Sequence, residues 1–179
     1  MRKPVWTLLA LLLCFGEAHP VDEVVQGAYL TLVPGRVQLE LDLTPGTQVA
    51  ATVLNSLDAN ADQRITDAEA RAFAQRVLGQ STLTLNGVAV PWTLDRVTVP
   101  PYQNLKLGSD TLKIYAVAGR PDRAGGQTLS YQNRYQPVKS QWMANVFLQP
   151  GAGWQYQVTG QQHSNDGRGL TVKYTATRS

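Results

Sequence analysis

Apolar and polar residues alternate over most of this chain, and one stretch with a longer period interrupts them. Val37-Gln-Leu-Glu-Leu-Asp-Leu43 places Val37, Leu39, Leu41 and Leu43 on one side of a strand, because successive side chains of an extended chain point to opposite faces. Upstream, Ala28-Tyr-Leu-Thr-Leu32 and the Pro34-Gly35 turn complete a hairpin. After Thr44-Pro45-Gly46, residues Val49, Val53, Leu54 and Leu57 recur at helical spacing up to Asp58. Ala68, Ala72, Phe73 and Val77 resume that spacing until Gly79, a helix stop. Two short helices therefore flank a polar stretch.

From Ser81 the strand pattern returns: Leu83-Thr-Leu85, an Asn86-Gly87 turn, and Val88 to Val99 interrupted by Pro91. Leu112, Ile114, Ala116 and Ala118 alternate with polar positions, as do Leu129, Tyr131, Asn133 and Tyr135. Segments Trp142 to Leu148, Trp154 to Val158 and Leu170 to Ala176 follow. Short strands without further helices predict a mainly β fold, an antiparallel β-sandwich or open barrel with a helix-loop-helix inserted over 45–79. Segments 120–126, 133–140 and 161–169 read as surface loops.

The first 18 residues read as a signal peptide: Arg2 and Lys3, an apolar run from Val5 to Phe15, then Gly16-Glu-Ala18. Cleavage after Ala18 leaves 161 of 179 residues, 19–179, as one domain, and lowers the formal charge from +3 to +2. The eleven-residue run is too short for a stable membrane span, and no later stretch is long and apolar enough. The expected product is exported, secreted or periplasmic. So small and scattered a charge gives no reason to expect nucleic acid as a partner. Cys14, the single cysteine, lies inside the signal run, so the mature chain has no disulfide or thiolate metal site.

The polar stretch is Asp58-Ala-Asn-Ala-Asp62-Gln-Arg-Ile-Thr-Asp-Ala-Glu69. Oxygen-bearing side chains at its first, third, fifth, ninth and twelfth places match the Ca²⁺ loop of an EF-hand. Asp58, Asn60 and Asp62 supply side-chain oxygens, Arg64 its backbone carbonyl, Thr66 a hydroxyl or a bound water, and Glu69 a bidentate carboxylate. Ile65 stands where such loops carry an apolar residue that packs onto the core. Gln63 stands where the family has a glycine in a left-handed turn, which costs about 1 kcal/mol, or roughly fivefold in affinity. A donor set of oxygen alone favours Ca²⁺ over Zn²⁺ or Cu²⁺. A lone loop with a strained turn suits millimolar extracellular calcium and a structural clip better than a sensor.

The order of His19-Pro20, a first hairpin, this loop, Leu83-Thr-Leu-Asn-Gly87, and Leu129-Ser-Tyr-Gln-Asn-Arg-Tyr135 with Trp142 resembles the extracytoplasmic N-terminal domain of bacterial nickel/cobalt exporters. The resemblance implies a periplasmic or secreted module serving a membrane transporter or another extracytoplasmic protein. It carries no transport activity across.

Other chemistries find less support. A mature N-terminal His19, with His163, offers an alternative copper or nickel site, although Pro20 lacks the N–H that amide chelation needs. No Ser or Cys nucleophile sits in a recognisable elbow, two histidines leave little for a triad, and Glu40 and Asp42 read as a solvated strand face, so no catalysis is expected. Trp92, Trp142 and Trp154, with Tyr102, Tyr131, Tyr135 and Tyr156, read as core, with a sugar-stacking platform as the alternative.

Overall fold

The computed structural model describes residues 21–179. The expected signal peptide, Cys14 and His19 lie outside the described residues. The predicted first hairpin forms β1 (Val24–Val33) and β2 (Arg36–Pro45), longer than the alternation alone suggests. They meet in register at Val33 and Arg36 around Pro34-Gly35, where Gly35 takes φ +78. That left-handed backbone is one glycine adopts without a Cβ clash.

The helical period becomes α1 (Ala50–Leu57) and α2 (Asp67–Leu78). The strands that follow are β3 (Ser81–Leu85), β4 (Val88–Val90), β5 (Thr93–Thr98), β6 (Leu112–Gly119), β7 (Gly125–Asn133), β8 (Ser140–Leu148), β9 (Trp154–His163) and β10 (Gly169–Arg178). Parts of all three segments expected as loops are therefore strand: Gly125-Gly126, Asn133 and Ser140, and Gln161 to His163 with Gly169. A third helix, α3 (Tyr102–Lys106), departs from the expectation of none after Gly79. It opens after Pro100-Pro101, buries only Leu105, and is too short to carry a readable period.

The strands form two five-stranded sheets, ordered β5-β6-β2-β1-β8 and β4-β3-β7-β10-β9, so the mainly β fold is a two-sheet sandwich rather than a barrel. Seven of its strand pairings are antiparallel, and β1 with β8 is parallel, which corrects the wholly antiparallel expectation. Alternation specifies which face a residue takes, whereas the direction of a partner strand depends on how the intervening chain returns.

Pro91 marks a change of sheet. With no N–H to continue the ladder, it ends β4 in the second sheet, and the chain crosses to β5 in the first. The helical pair likewise joins β2 of the first sheet to β3 of the second, and α2 packs on β5 of the first and β3 of the second. It is a crossover between the sheets.

One core unites these layers. Leu30, Leu39, Leu41 and Ile114 of the first sheet, Leu83, Leu129, Val172 and Tyr174 of the second, and Val53, Leu57, Phe73 and Val77 of the helices are each at most 2% exposed. Burial of each large apolar side chain contributes roughly 1.5–3 kcal/mol. In α2 the buried face is Ala70, Phe73, Ala74, Val77 and Leu78, while Ala68 and Ala72 are exposed, contrary to the expected pattern. Alanine satisfies either stripe by spacing, and the larger Phe73, Val77 and Leu78 decide the rotation.

Candidate functional site

The loop between α1 and α2 is folded by its own polar side chains. Asp58 ends α1, its N–H bonded to the Leu54 carbonyl at 2.8 Å, and it is only 5% exposed. Its Oδ1 accepts the Asp62 N–H at 3.2 Å and its Oδ2 the Gln63 N–H at 2.8 Å. Asn60 Oδ1 also accepts the Asp62 N–H, at 3.1 Å, while Asn60 Nδ2 donates to Asp62 Oδ2 at 3.1 Å. Asp62 Oδ1 in turn accepts the Arg64 N–H at 2.8 Å. Short side chains that satisfy nearby backbone N–H groups in this way stabilise turns over helix.

The backbone turns left-handed twice, at Ala61 (φ 57) and Gln63 (φ 63). Gln63 occupies the sixth place of the twelve, so the turn expected of a glycine is made by a residue with a Cβ. Ile65 is half-buried against the core, and the loop lines a shallow hollow with Val99, Pro100, Pro101 and Tyr102.

Thr66 is the N-cap of α2, and Thr66 with Glu69 forms a capping box. The Glu69 N–H donates to Thr66 Oγ1 at 3.3 Å, and Glu69 Oε2 accepts from the Thr66 N–H at 3.0 Å and hydroxyl at 2.7 Å. Glu69 Oε1 accepts the Ala59 N–H at 3.0 Å, so one carboxylate spans from the ninth place of the loop to the second. The bonds from the Thr66 backbone and hydroxyl, with a smaller one from Ala59, hold the Glu69 carboxyl below its ordinary value. Arg76 donates to the Ser56 carbonyl and ties α2 to the end of α1.

Asp58, Asn60, Asp62, Arg64, Thr66 and Glu69 thus lie on one short loop, and the side-chain oxygens of Asp58, Asn60, Asp62, Thr66 and Glu69 are largely engaged by hydrogen-bond donors of the loop itself. Among the described residues, no three His, Cys, Asp or Glu side chains gather into a group that could hold a metal ion. The Thr66 and Glu69 spacing is shared by an EF-hand loop and a capping box, so that pair alone does not separate them. His163 is exposed on β9, with Nε2 2.8 Å from Gln161 Nε2.

A second cluster escaped the sequence reading. Glu40 and Asp42 on β2 are half-buried, because Lys113 of β6 reaches both, at 2.7 Å to Glu40 Oε1 and 3.1 Å to Asp42 Oδ2. The bonds to Glu40 and Asp42 hold Lys113 above its ordinary value, while burial pushes the Asp42 carboxyl up against the opposing pull of Lys113. The polar positions of β6 carried the signal, but only the strand order sets Lys113 beside Asp42. Neither a protein-family model nor a curated protein matches this chain.

Proposed function

We propose that the protein is an exported Ca²⁺-binding module whose loop from Asp58 to Glu69 holds one ion and fixes α1 and α2 across the two sheets. The observation that carries this reading is the position of Glu69: its carboxylate bridges the second and ninth places of a loop whose sixth residue already turns left-handed. The donor set suits the ion by its chemistry. Asp58, Asn60, Asp62 and Glu69 side chains, the Arg64 carbonyl and the Thr66 hydroxyl offer oxygen alone, as a hard cation requires. Bound Ca²⁺ would supply the positive charge against which these carboxylates repel one another less. A clip suits the placement, since the two helices form the passage from β2 to β3. The signal-like N-terminus and the exporter resemblance support a secreted or periplasmic location and a role beside a transporter.

The test is a calcium titration of the purified chain followed by thermal melting. At a hundredfold excess over Kd, binding stabilises by about 2.7 kcal/mol, or about 5–10 °C for a domain of this size. No rise at millimolar Ca²⁺, or an equal rise in Glu69→Ala, would refute the reading. Metal analysis of protein purified without chelators separates it from the copper or nickel alternative: Ca²⁺ lost in Glu69→Ala supports this reading, Cu²⁺ or Ni²⁺ lost in His19→Ala the other.

A further inference from the structure

The outward face of the first sheet is built differently from a plain solvated face. It carries a hollow of about 560 Å³, floored by β1, β2 and β6 and bordered by Asp95 and Arg96 of β5 and Phe147 of β8. Register places Arg96, Tyr115, Glu40 and Tyr29 side by side in one row across four strands. Within that row Tyr29 lies down. A Cβ on Gly27 would stand 3.1 Å from Tyr29 Cε2 and 3.1 Å from its hydroxyl oxygen, so the ring occupies the space over the bare Gly27 backbone. The hydroxyl end of the ring thus lies over Gly27, and the side chain stays half-buried at the surface of the sheet. Tyr115 is capped differently: the Arg96 guanidinium carbon lies 3.6 Å from its ring centroid.

Apolar surface continues on the neighbouring edge strand, where Phe147 is 54% exposed and Met143 47%. Glu40 lies between Tyr29 and Tyr115, and Asp42, Lys113 and Gln38 line the same hollow, so acceptors and donors are offered together. Asp42 Oδ1, covered at the floor, finds no hydrogen-bond donor among the described residues.

The charge balance limits the occupant. Glu40, Asp42 and Asp95 face Lys113 and Arg96, a net of one negative charge made of interspersed signs, which is suited neither to an anion nor to a polycation. Flat apolar rings beside alternating donors and acceptors complement a pyranose, which presents C–H groups on its faces and hydroxyls at its rim. We propose that this face is a binding site for a neutral saccharide, stacked on Tyr29 and Phe147 and hydrogen-bonded by Glu40, Lys113 and Gln38. The four strands of the hollow's row belong to one continuous sheet, so the site is preorganised on regular elements.

This proposal does not rest on the calcium reading, and its test is made in EDTA to keep the two apart. The full chain is titrated calorimetrically with neutral hexasaccharides of glucose, mannose, galactose and N-acetylglucosamine. At least one is expected to bind with a Kd of about 1 mM or tighter, and Tyr29→Ala and Phe147→Ala each to weaken it about five- to tenfold. Val158→Ala, an exposed apolar residue on β9 of the other sheet, should leave the Kd unchanged. Phe147 is exposed, so its variant keeps the test meaningful if Tyr29→Ala disturbs the sheet. No heat from any sugar at about 10 mM, undiminished binding by Phe147→Ala, or binding of charged polysaccharides alone would overturn the proposal.

Discussion

Replacing Gln63 by glycine probes the loop without any metal. Gln63 stands at φ 63, a region that costs a residue with a Cβ about 1–2 kcal/mol. The turn is held within the protein, by Asp58 Oδ2 on the Gln63 N–H and by Asp62 Oδ1 on the next N–H, each at 2.8 Å. The strain therefore belongs to the free energy of folding. Glycine removes it but loses about 0.5–1 kcal/mol in added unfolded-state freedom, so the net gain is about 0.5–1 kcal/mol. At about 2–4 °C per kcal/mol in a domain of this size, the melting temperature rises by about 1–4 °C. Urea unfolding in EDTA measures the gain as a higher midpoint at constant slope, and Ala61→Gly, at φ 57, provides an independent repeat. Calcium affinity should change by less than about twofold, whereas strain met only on binding would raise it roughly fivefold. An unchanged or lower midpoint refutes the strain argument. A fivefold gain in affinity with the midpoint unmoved would mean that the turn forms with the ion.

Three further outcomes follow from the same geometry. Phe73→Ala, in a side chain 1% exposed and set edge-on to Tyr135 at 6.0 Å between centroids, should cost about 3–5 kcal/mol in urea unfolding because it detaches α2 from the core. Gly167→Ala should lower stability by more than about 1 kcal/mol, since the residue takes φ 74 and a Cβ there would run into the Trp142 carbonyl oxygen; unaltered melting would show that the turn between β9 and β10 moves freely. Glu69 titrates below its ordinary 4.5, so the unfolded chain takes up its proton first and the stabilisation is complete above that pH and lost as pH falls through the lower folded value. The gap in melting temperature between the parent and Glu69→Gln, measured in EDTA, should accordingly be widest above the ordinary 4.5 and narrow steadily as the pH is lowered below it.

Local pattern was legible where burial imposes a period. The Val37 to Leu43 alternation is fully buried on its apolar side, and Leu112 to Ala118 behaves the same way. The α2 face was misread because Ala68 and Ala72 carry too little apolar surface to outweigh Leu78, which lies one turn beyond Ala74. The short α3 had no period to read. On the loop, the order of Asp58, Asn60, Asp62, Thr66 and Glu69 was visible in the sequence, and their hydrogen bonds follow from that local spacing. The hollow on the first sheet was not visible, because Glu40 and Asp42 on one strand look solvated until Lys113 and Tyr115 stand beside them.

The sequence by itself determined which residues of β2 and β6 face inward, where the two main helices lie, and the polar loop between them, since each depends on contacts within a few residues. Tertiary structure alone decided the parallel pairing of β1 with β8, the passage of the helices from one sheet to the other, and the row of Arg96, Tyr115, Glu40 and Tyr29. These depend on strands distant in the chain finding a register. Period-two alternation states only which face a side chain takes, not its neighbour across the ladder.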